Sequence, residues 1–298
     1  MKLLILISTY NGSKYIREQL ASILSQDFDG EIVVLIRDDG SHDETVQIIE
    51  EMNDSRVEVV CGKNLGAKGS FLALLAEARR RSPDFVALAD QDDVWLPGKL
   101  QRAVDMLRSV TGPALYCSAL NLVDDKLQPI GTYIFTDTPD FEAAFLTNCA
   151  TGCTCVFNRE FLDLLDVLPD QDEILVHDWW LYIVAAAFGR VIYDDVSMIL
   201  YRQHAANQVG MRLGFTSIFY RVRRLLRRPS RPSRLTQARE FARIYGACLS
   251  PLQSRYLSEL IRCDDNFMAR IKFAFIRRPK RRNFINDMAA LVAFLLGR

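Results

Sequence analysis

The chain has 298 residues, of which 49% are apolar and 25% charged, the composition of a globular protein with one large domain and room for an appendage. No apolar run reaches the length of about 18 residues that a membrane span needs, and the apolar start of the chain is too short for a signal peptide. The seven cysteines lack the paired spacing of a zinc ribbon. We therefore expect reduced thiols in the cytoplasm, with a disulfide framework as the weaker alternative.

The formal net charge of zero conceals an asymmetry along the sequence. Residues 1–195 contain 16 Lys and Arg but 32 Asp and Glu, a net charge of −16, whereas residues 196–298 contain 21 and 5, a net charge of +16. This polarity predicts an acidic part that handles cations and a basic part that meets an anionic surface.

Residues 1–130 alternate strand and helix signals. Apolar runs predict strands at Lys2–Ser8, Ile32–Ile36, Val57–Cys61 and Phe85–Ala89. Helices are predicted after a Ser13 cap, after a capping box of Ser41 and Glu44, over Phe71–Ala78 and from Pro97. The alternation predicts an α/β fold with a doubly wound, mostly parallel sheet.

The rest of the chain is less regular. We predict strands near Leu115–Leu120, Thr154–Phe157 and Val191–Tyr193, and a helix from about Asp178 to Phe188 with Gly189 as its C-cap. After Gly210 the sequence becomes helical and basic.

Polar turns at residues 9–12, 38–41 and 90–93 follow the first, second and fourth predicted strands. Ligands of a doubly wound sheet bind outside the carboxyl ends of its strands, so these three turns should meet at one edge. Their convergence there is a stronger indication of a binding site than any one of the turns alone.

Carboxylates dominate two of these turns. A hard divalent cation prefers oxygen ligands and often bridges them to a diphosphate, so Asp90 and Asp92 are candidates for a metal and a ribose hydroxyl. The alternative is a solvated acidic turn in which Asp93 caps a helix. Asp39 can accept a hydrogen bond from a base or ribose, or Asp38 and Asp39 both simply favour the positive end of the next helix.

Three further positions carry candidate chemistry with open alternatives. The segment Asn64–Ser70 lacks the spacing of a P-loop, and contact of Asn64 or Lys68 with a nucleotide competes equally with an ordinary polar loop. Arg202 suits a phosphate and His204 can complete a metal site, unless this histidine lies on a surface linker.

Asp178 stands at the predicted start of a helix, beside Trp179 and Trp180. The tryptophans would shield the carboxylate from water, which raises its pKa and makes it a better general base, and would offer a platform for a sugar ring. The alternative is a helix-capping Asp beside core tryptophans.

Taken together, these motifs resemble family 2 glycosyltransferases with the GT-A fold, and more narrowly bacterial rhamnosyltransferases. The resemblance covers about residues 1–210 and rests on Ser8–Gly12, Arg37–Ser41, Asp90–Trp95, Gly152-Cys153 and the Tyr-Arg-Gln-His-x-x-Asn run from Tyr201 to Asn207. It implies a Rossmann-like, mostly parallel sheet with flanking helices in residues 1–210, followed by a basic α-helical extension in residues 211–298.

The resemblance also implies roles for individual residues in an inverting sugar transfer. Nucleotide-sugar binding falls to Thr9, Tyr10, Asn11, Asp39, Asn64, Lys68, Asp90 and Arg202. The metal, Mg or Mn, falls to Asp92 and His204. The catalytic base is Asp178, and acceptor binding falls to Trp179, Trp180, Gly152 and Cys153. In the wider family the base is often preceded by Glu, whereas this chain has His177.

The narrower resemblance favours dTDP-L-rhamnose as donor, with a UDP-sugar as the main alternative, and a glycan or lipid-linked glycan as acceptor. The basic amphipathic stretches 215–226 and 267–275, and the basic and apolar run 277–296, fit a helix at the inner face of the cell membrane or one packed on the catalytic domain. No nucleic acid partner is expected.

Two other functions compete with sugar transfer. A nucleotidyltransferase would carry a Gly-rich, Lys-bearing loop after its first strand, where this chain has Ser-Thr-Tyr-Asn-Gly. A binding module without enzymatic activity would have no need of Asp178.

Overall fold

The computed structural model describes residues 1–136, 138–204, 232–264 and 267–276. They form two compact units that alternate along the chain. The first contains Met1–Phe135, Ala150–Leu168 and the described part of Phe188–Gly210. The second contains Thr136–Cys149, Pro169–Ala187 and the described part of Met211–Arg298. The predicted boundary at residue 210, between a catalytic domain and a basic helical extension, stays a prediction.

The strands and helices of the described residues are as follows. The strands are β1 (Lys2–Thr9), β2 (Glu31–Asp38), β3 (Val57–Cys61), β4 (Phe85–Ala89), β5 (Val94–Trp95), β6 (Ala114–Ser118), β7 (Leu120–Val123), β8 (Pro129–Tyr133), β9 (Val156–Asn158), β10 (Arg190–Asp194) and β11 (Ile199–Arg202). The α-helices are α1 (Ile16–Leu24), α2 (Thr45–Glu51), α3 (Gly66–Arg81), α4 (Lys99–Arg108), α5 (Phe141–Ala144), α6 (Arg159–Asp163), α7 (His177–Phe188), α8 (Arg234–Tyr245), α9 (Pro251–Ile261) and α10 (Phe267–Ile276).

A seven-stranded sheet in the order β10-β6-β9-β4-β1-β2-β3 forms the centre of the first unit. Its central strands are apolar on both faces, and the side chains of Leu3–Ile7 in β1 are fully buried, as expected for a parallel sheet covered by helices. Every pairing is parallel except those of β9, which runs antiparallel to β4 and β6. The predicted mostly parallel α/β sheet is confirmed.

A second sheet of four strands, in the order β5-β11-β7-β8, was not predicted. It depends on β5, which is only two residues long and pairs with Ile199 and Leu200 of β11. Two residues are too short to give a hydrophobic period, so the sequence carried no signal for this strand. The pairing matters because it returns the chain after β11 to the turn that follows β4.

The second unit is helical and is built around aromatic side chains. Phe241 of α8 packs against Phe145 with ring centroids 5.4 Å apart, and against Trp180 of α7 at 5.8 Å. Tyr256 of α9 lies 5.9 Å from Phe141 of α5. Such edge-on packing of rings joins four helices through one buried cluster. Among the described residues, no helix is both long enough and apolar enough to cross a membrane.

Two predicted helix starts are wrong. The hydroxyl of Ser41 does not cap α2; it donates to Asp38 at 2.5 Å and accepts from the backbone N–H of Asn11 at 2.9 Å. Ser13 does not cap α1 either, because the carbonyl of Gly12 accepts from the first N–H groups of that helix. A tertiary contact replaces the predicted cap at Ser41, and a local backbone carbonyl replaces it at Ser13.

Several predicted features lie outside the described residues. They are Asn207, the basic amphipathic stretch 215–226 and the run 277–296.

Gly189 has a different role from the predicted C-cap. Its φ is not among the positive values that left-handed caps require. A Cβ at this position would instead lie 2.4 Å from the carbonyl oxygen of Pro113. The glycine is therefore needed for the close approach of two backbone segments where β10 begins beside β6.

We predict that Gly189→Ala lowers the free energy of unfolding by about 1–3 kcal/mol, because the methyl group meets backbone that has little room to shift. Urea unfolding measures this change. Gly246→Ala is the matched control, since a Cβ there meets nothing within 4 Å, and we expect it to be neutral or slightly stabilising. Equal stability of the two variants would contradict the proposed packing role of Gly189.

Candidate active site

The turns after β1, β2 and β4 meet at one edge of the large sheet, as predicted from their order. The backbone N–H of Asp39 donates to the carbonyl of Thr9 at 2.8 Å. The Gln91 side chain bridges to the first turn, accepting from Tyr10 N–H at 2.9 Å and donating to Tyr10 C=O at 3.2 Å. Because β4, β1 and β2 are adjacent and parallel, their carboxyl ends bring these polar segments together.

Asp38 has a structural role in this edge. Its buried carboxylate accepts from the backbone of Gly40 at 3.1 Å and of Ser41 at 2.8 Å, and from the hydroxyl of Thr9 at 3.1 Å. These donors hold the turn closed and fix Thr9, whose side chain is fully buried. Asp38 and Thr9 therefore shape the turn from within.

Asp39 is also buried, but its bonding leaves capacity for a ligand. Oδ1 forms an ion pair with Arg37 and accepts from Leu65 N–H at 2.8 Å, while Oδ2 accepts from Gly66 N–H at 2.8 Å. A carboxylate has about four acceptor positions, so among contacts of the described residues one position on Oδ2 remains. Arg37 lies within this edge because Gly62 has no Cβ, which would come within 2.6 Å of the guanidinium.

The loops beside Asp39 carry further polar and aromatic side chains. The Tyr10 ring is 44% exposed and is available for stacking. Asn11 has a φ of +48°. Its backbone N–H donates to the Ser41 hydroxyl and its amide oxygen accepts from His42 N–H, both at 2.9 Å. Asn64 is exposed and accepts from Gly66 N–H at 3.1 Å, and Lys68 lies in the first turn of α3, half-buried.

Asp92 and His204, the two predicted metal ligands, are in direct contact. Nε2 of His204 lies 2.7 Å from Oδ2 of Asp92, and the two side chains are only 13% and 15% exposed. The imidazole stacks on Tyr15 with ring centroids 4.9 Å apart. Tyr15 in turn donates a hydrogen bond to Asp125. The pair is thus held in place by residues distant in sequence.

Three carboxylates crowd the turn after β4. The pKa of buried Asp93 is raised well above its usual range, first by burial and then by the charges of Asp90 and Asp92. Ligand atoms of Asp90, Asp93 and Cys153 lie within 4.8 Å of one another. Because the carboxylates repel one another, a positive charge close to this turn would stabilise their ionised forms.

Lys99 lies near this crowded turn and is almost completely buried. Its ammonium lies 3.7 Å from the centre of the Trp95 ring, a cation–π geometry. Within the described residues its Nζ has no hydrogen-bond partner. Burial lowers its pKa to about 8, partly offset by Cys153, Cys155 and Asp93.

The structure corrects the prediction for Arg202. The side chain is 2% exposed and is used internally: it donates to the carbonyls of Asp92 at 2.8 Å and Asp125 at 2.7 Å. It also forms an ion pair with Glu18. Arg202 braces the turn after β4, and its guanidinium donates to protein groups.

The oxygens and nitrogen at this edge fit a hard divalent cation. Two adjacent ligand atoms around Mg²⁺, each about 2.1 Å from the ion, lie about 3 Å apart, close to the 2.7 Å between Asp92 and His204. The excess negative charge of the turn favours the same ion. Cys153 does not fit it, because burial raises the pKa of the thiol and Mg²⁺ or Mn²⁺ prefer oxygen.

Asp178 lies in the second unit, in the first turn of α7. The amide Nδ2 of Asn148 donates to its Oδ1 at 3.0 Å. Next to it, the indole N–H of Trp179 donates to the carbonyl of Ala144 at 2.6 Å, and the guanidinium of Arg234 lies 5.3 Å from the Trp179 ring centre. The start of α7 is therefore fastened to the segment after α5.

Three of the residues predicted to bind the acceptor are buried in the structure. The Trp180 side chain is fully buried against Phe241, so it is a core residue and offers no face to a sugar. Gly152 and Cys153 are buried in a short 3₁₀ helix of the first unit. Of the four predicted acceptor residues, Trp179 is partly exposed and the other three are buried.

His177 is neutral in the folded protein. Burial lowers its pKa to about 3 from an ordinary value of 6.5. It therefore adds no positive charge beside Asp178 at neutral pH.

We predict that His177→Gln weakens the pH dependence of stability. Between pH 6.5 and about 3 the unfolded state binds a proton at this histidine that the folded state does not, so stability falls as pH falls. From pH 7 to pH 5 this group alone should cost the wild type about 2 kcal/mol. Urea unfolding at both pH values tests it, with exposed His42→Gln as the control. An unchanged pH dependence in His177→Gln would contradict burial of a neutral imidazole.

Solved structures define the fold class. The chain superposes on Staphylococcus aureus TarS 1–349 in complex with UDP-GlcNAc with a TM-score of 0.59 and 16% identity, covering 99% of this chain and 90% of that one. The mannosyltransferase PcManGT from Pyrobaculum calidifontis, in complex with GDP-Man and Mn²⁺, gives a TM-score of 0.54 at 18% identity over 99% of this chain and 85% of that one. The fold is that of a GT-A glycosyltransferase.

Sequence comparison defines the family. The family model described as Glycosyl transferase family 2 matches residues 4–165, which is more than half of the chain. The chain is 32% identical over 234 residues to dTDP-rhamnosyl transferase RfbG of Shigella flexneri, covering 72% of this chain and 78% of that relative. The chain belongs to glycosyl transferase family 2 and is a glycosyltransferase that uses a nucleotide-sugar.

A second relative uses another donor. WfgD of Escherichia coli, named UDP-Glc:alpha-D-GlcNAc-diphosphoundecaprenol beta-1,3-glucosyltransferase, is 27% identical over 160 residues, covering 53% of this chain and 61% of that relative.

Sequence reasoning missed several residues of the site. Arg37 and Gln91 lay inside recognised motifs but were passed over because neither is a typical ligand. Tyr15 and Asn148 gave no signal, because their partners His204 and Asp178 are far away in the chain.

Proposed function

We propose that this chain is an inverting, metal-dependent rhamnosyltransferase that transfers L-rhamnose from dTDP-L-rhamnose to a hydroxyl of a glycan or lipid-linked glycan. The 32% identity to dTDP-rhamnosyl transferase RfbG over 78% of that relative carries the choice of donor. A UDP-sugar donor is the alternative, and it is favoured by the name of WfgD. Sugar transfer from either donor belongs to the same reaction class.

In this proposal, Asp39 recognises the base of the donor. Its remaining acceptor position on Oδ2 suits the imide N–H that both thymine and uracil present, and Arg37 keeps the carboxylate oriented. Tyr10 stacks on the base, and Asp90 accepts from the sugar hydroxyl of the nucleoside. Asn11, Asn64 and Lys68 line the surrounding loops.

Asp92 and His204 would hold the Mg²⁺ or Mn²⁺. When bound, the ion neutralises charge on the departing diphosphate as a Lewis acid. The contact between the two side chains at 2.7 Å, with Tyr15 behind the imidazole, supports this assignment. Preorganisation of this kind reduces the reorganisation needed when the donor binds.

Asp178 is the proposed general base. Its carboxylate takes the proton of the acceptor hydroxyl, while the acceptor oxygen attacks the anomeric carbon from the side opposite the diphosphate. The bond from that carbon to the diphosphate oxygen breaks, the nucleoside diphosphate leaves with the bonding electrons, and the configuration inverts. The start of a helix favours the ionised form of Asp178 that this step requires.

We predict that dTDP-L-rhamnose raises the midpoint of thermal unfolding by several degrees only when Mg²⁺ or Mn²⁺ is present. A ligand at about 100 times its Kd adds about 2.7 kcal/mol of stability. Asp92→Ala should lose the metal-dependent rise, and Asp105→Asn, at an exposed position on α4, should keep it.

A panel of UDP-sugars in the same assay decides between the donors. A rise with a UDP-sugar and none with dTDP-L-rhamnose would replace the proposed donor. A full metal-dependent rise in Asp92→Ala would contradict the metal site, and no rise with any nucleotide-sugar would contradict the donor assignment.

A membrane surface is the proposed location of the acceptor. The net charge of +16 in residues 196–298 supports contact with anionic lipid, although the basic stretch 215–226 lies outside the described residues.

We predict binding to phosphatidylglycerol vesicles that weakens with salt and is absent with phosphatidylcholine. Replacing Arg221, Arg223 and Arg224 together by Gln should reduce this binding about 100-fold, at about 1 kcal/mol for each charge. Sedimentation with vesicles measures it. Equal binding of the wild type and the triple variant would contradict this role.

A further inference from the structure

The environment of Asp178 contains a residue to which neither the sequence nor the comparisons give a role. Asn148 follows α5 by four residues, and its Nδ2 donates to Oδ1 of Asp178 at 3.0 Å. Both side chains are half-buried. An amide donor at this distance restricts the rotation of a carboxylate that would otherwise move between rotamers on a helix end.

Hydrogen bonds at every second residue hold the segment that carries Asn148. The carbonyl of Ala144 accepts from the Trp179 indole at 2.6 Å, and the carbonyl of Leu146 accepts from Nε of Arg234 at 3.1 Å. Asn148 makes the third contact along the same segment. These anchors fix the backbone of the segment, and so the position from which the Asn148 amide reaches Asp178.

Two basic residues stand beside this contact. His177 precedes Asp178 on α7 and is neutral, because burial lowers its pKa to about 3. Arg234 at the start of α8 has its guanidinium over the Trp179 ring. Asn148 is a neutral donor, so its hydrogen bond stabilises the ionised carboxylate without adding a charge.

From this geometry we infer that Asn148 is a positioning residue for the proton transfer, orienting the Asp178 carboxylate and keeping it ionised. The inference rests on the proposed role of Asp178 as the base. Asn148 itself touches neither donor nor acceptor in this scheme. Its loss should therefore change the rate of the proton-transfer step and the pH at which that step becomes possible, and should leave donor affinity unchanged.

The test measures release of the nucleoside diphosphate from dTDP-L-rhamnose, with water as the acceptor, across a range of pH. If a UDP-sugar proves to be the donor, release from that sugar is measured instead. We expect Asn148→Ala to lower kcat about tenfold, to keep the donor KM within about twofold, and to move the acidic limb of the kcat profile up by about one pH unit. Asn148→Asp, which has the same shape but adds a second carboxylate, should move the limb further.

Gln253→Ala is the matched control. Gln253 donates to the carbonyl of Ala187, near the opposite end of the same helix, at 2.9 Å, so its loss also removes one side-chain contact to α7. We expect it to lower the unfolding midpoint about as much as Asn148→Ala while leaving kcat and the pH profile unchanged. If both Asn148 variants keep the wild-type acidic limb, the contact is structural only and the inference is overturned.

Asp178→Asn separates this inference from the proposed function. If Asp178→Asn abolishes release while the Asn148 variants keep the wild-type pH profile, the role of Asn148 alone is wrong. If Asp178→Asn retains the wild-type rate, the base assignment is wrong and the inference falls with it. The thermal shift with donor and metal then still reports independently whether the nucleotide-sugar site exists.

Discussion

Repulsion between carboxylates at one edge of a sheet is the constraint on which the rest of the site depends. Three adjacent parallel strands end in turns that together contain five Asp residues, and four of these carboxylates are balanced in different ways. Asp38 is surrounded by backbone and hydroxyl donors, Asp39 is paired with Arg37, and Asp92 is paired with His204. Asp93 is buried with a raised pKa, which favours its neutral form. These compensations allow the edge to stay folded with its carboxylates close together.

The compensating groups explain parts of the fold that do not contact a substrate. The second sheet returns the chain through β11, so that Arg202 can hold the carbonyl of Asp92 and His204 can reach its carboxylate. Lys99 begins α4, and its buried ammonium lies against Trp95 of the two-residue strand β5. This short strand also pairs with β11, and the backbone N–H of Trp95 donates to the Ser22 hydroxyl at 3.0 Å. Loss of these supports should disturb the turn after β4 before it unfolds the large sheet.

The large sheet could be predicted because its central strands are buried on both faces and appear as continuous apolar runs. The order of the strand-end turns then indicated their convergence, as the contacts of Thr9 and Tyr10 show. Features that depend on long-range contacts could not be predicted. Ser41 was available as a cap but bonds Asp38, and Arg202 matched a phosphate ligand but has its donors occupied within the protein. The burial of Trp180 follows from α8, a helix about 60 residues further along the chain.

Donor selectivity has a physical limit at Asp39. Under the proposed function its remaining acceptor position binds an imide N–H, which thymine and uracil present in the same way. The two bases differ by one methyl group, and a methyl group in an apolar pocket changes specificity by only about 10–200-fold. Strong discrimination between dTDP-L-rhamnose and a UDP-sugar must therefore come from groups that contact the hydroxyls of the transferred sugar or the 2′ position of the nucleoside. Hydrogen-bonding groups left unpaired by the wrong donor give the larger penalties. At the 2′ position such a penalty would fall on dTDP, which lacks that hydroxyl, so a preference for dTDP-L-rhamnose depends on groups that contact the transferred sugar or pack closely against the 2′ carbon.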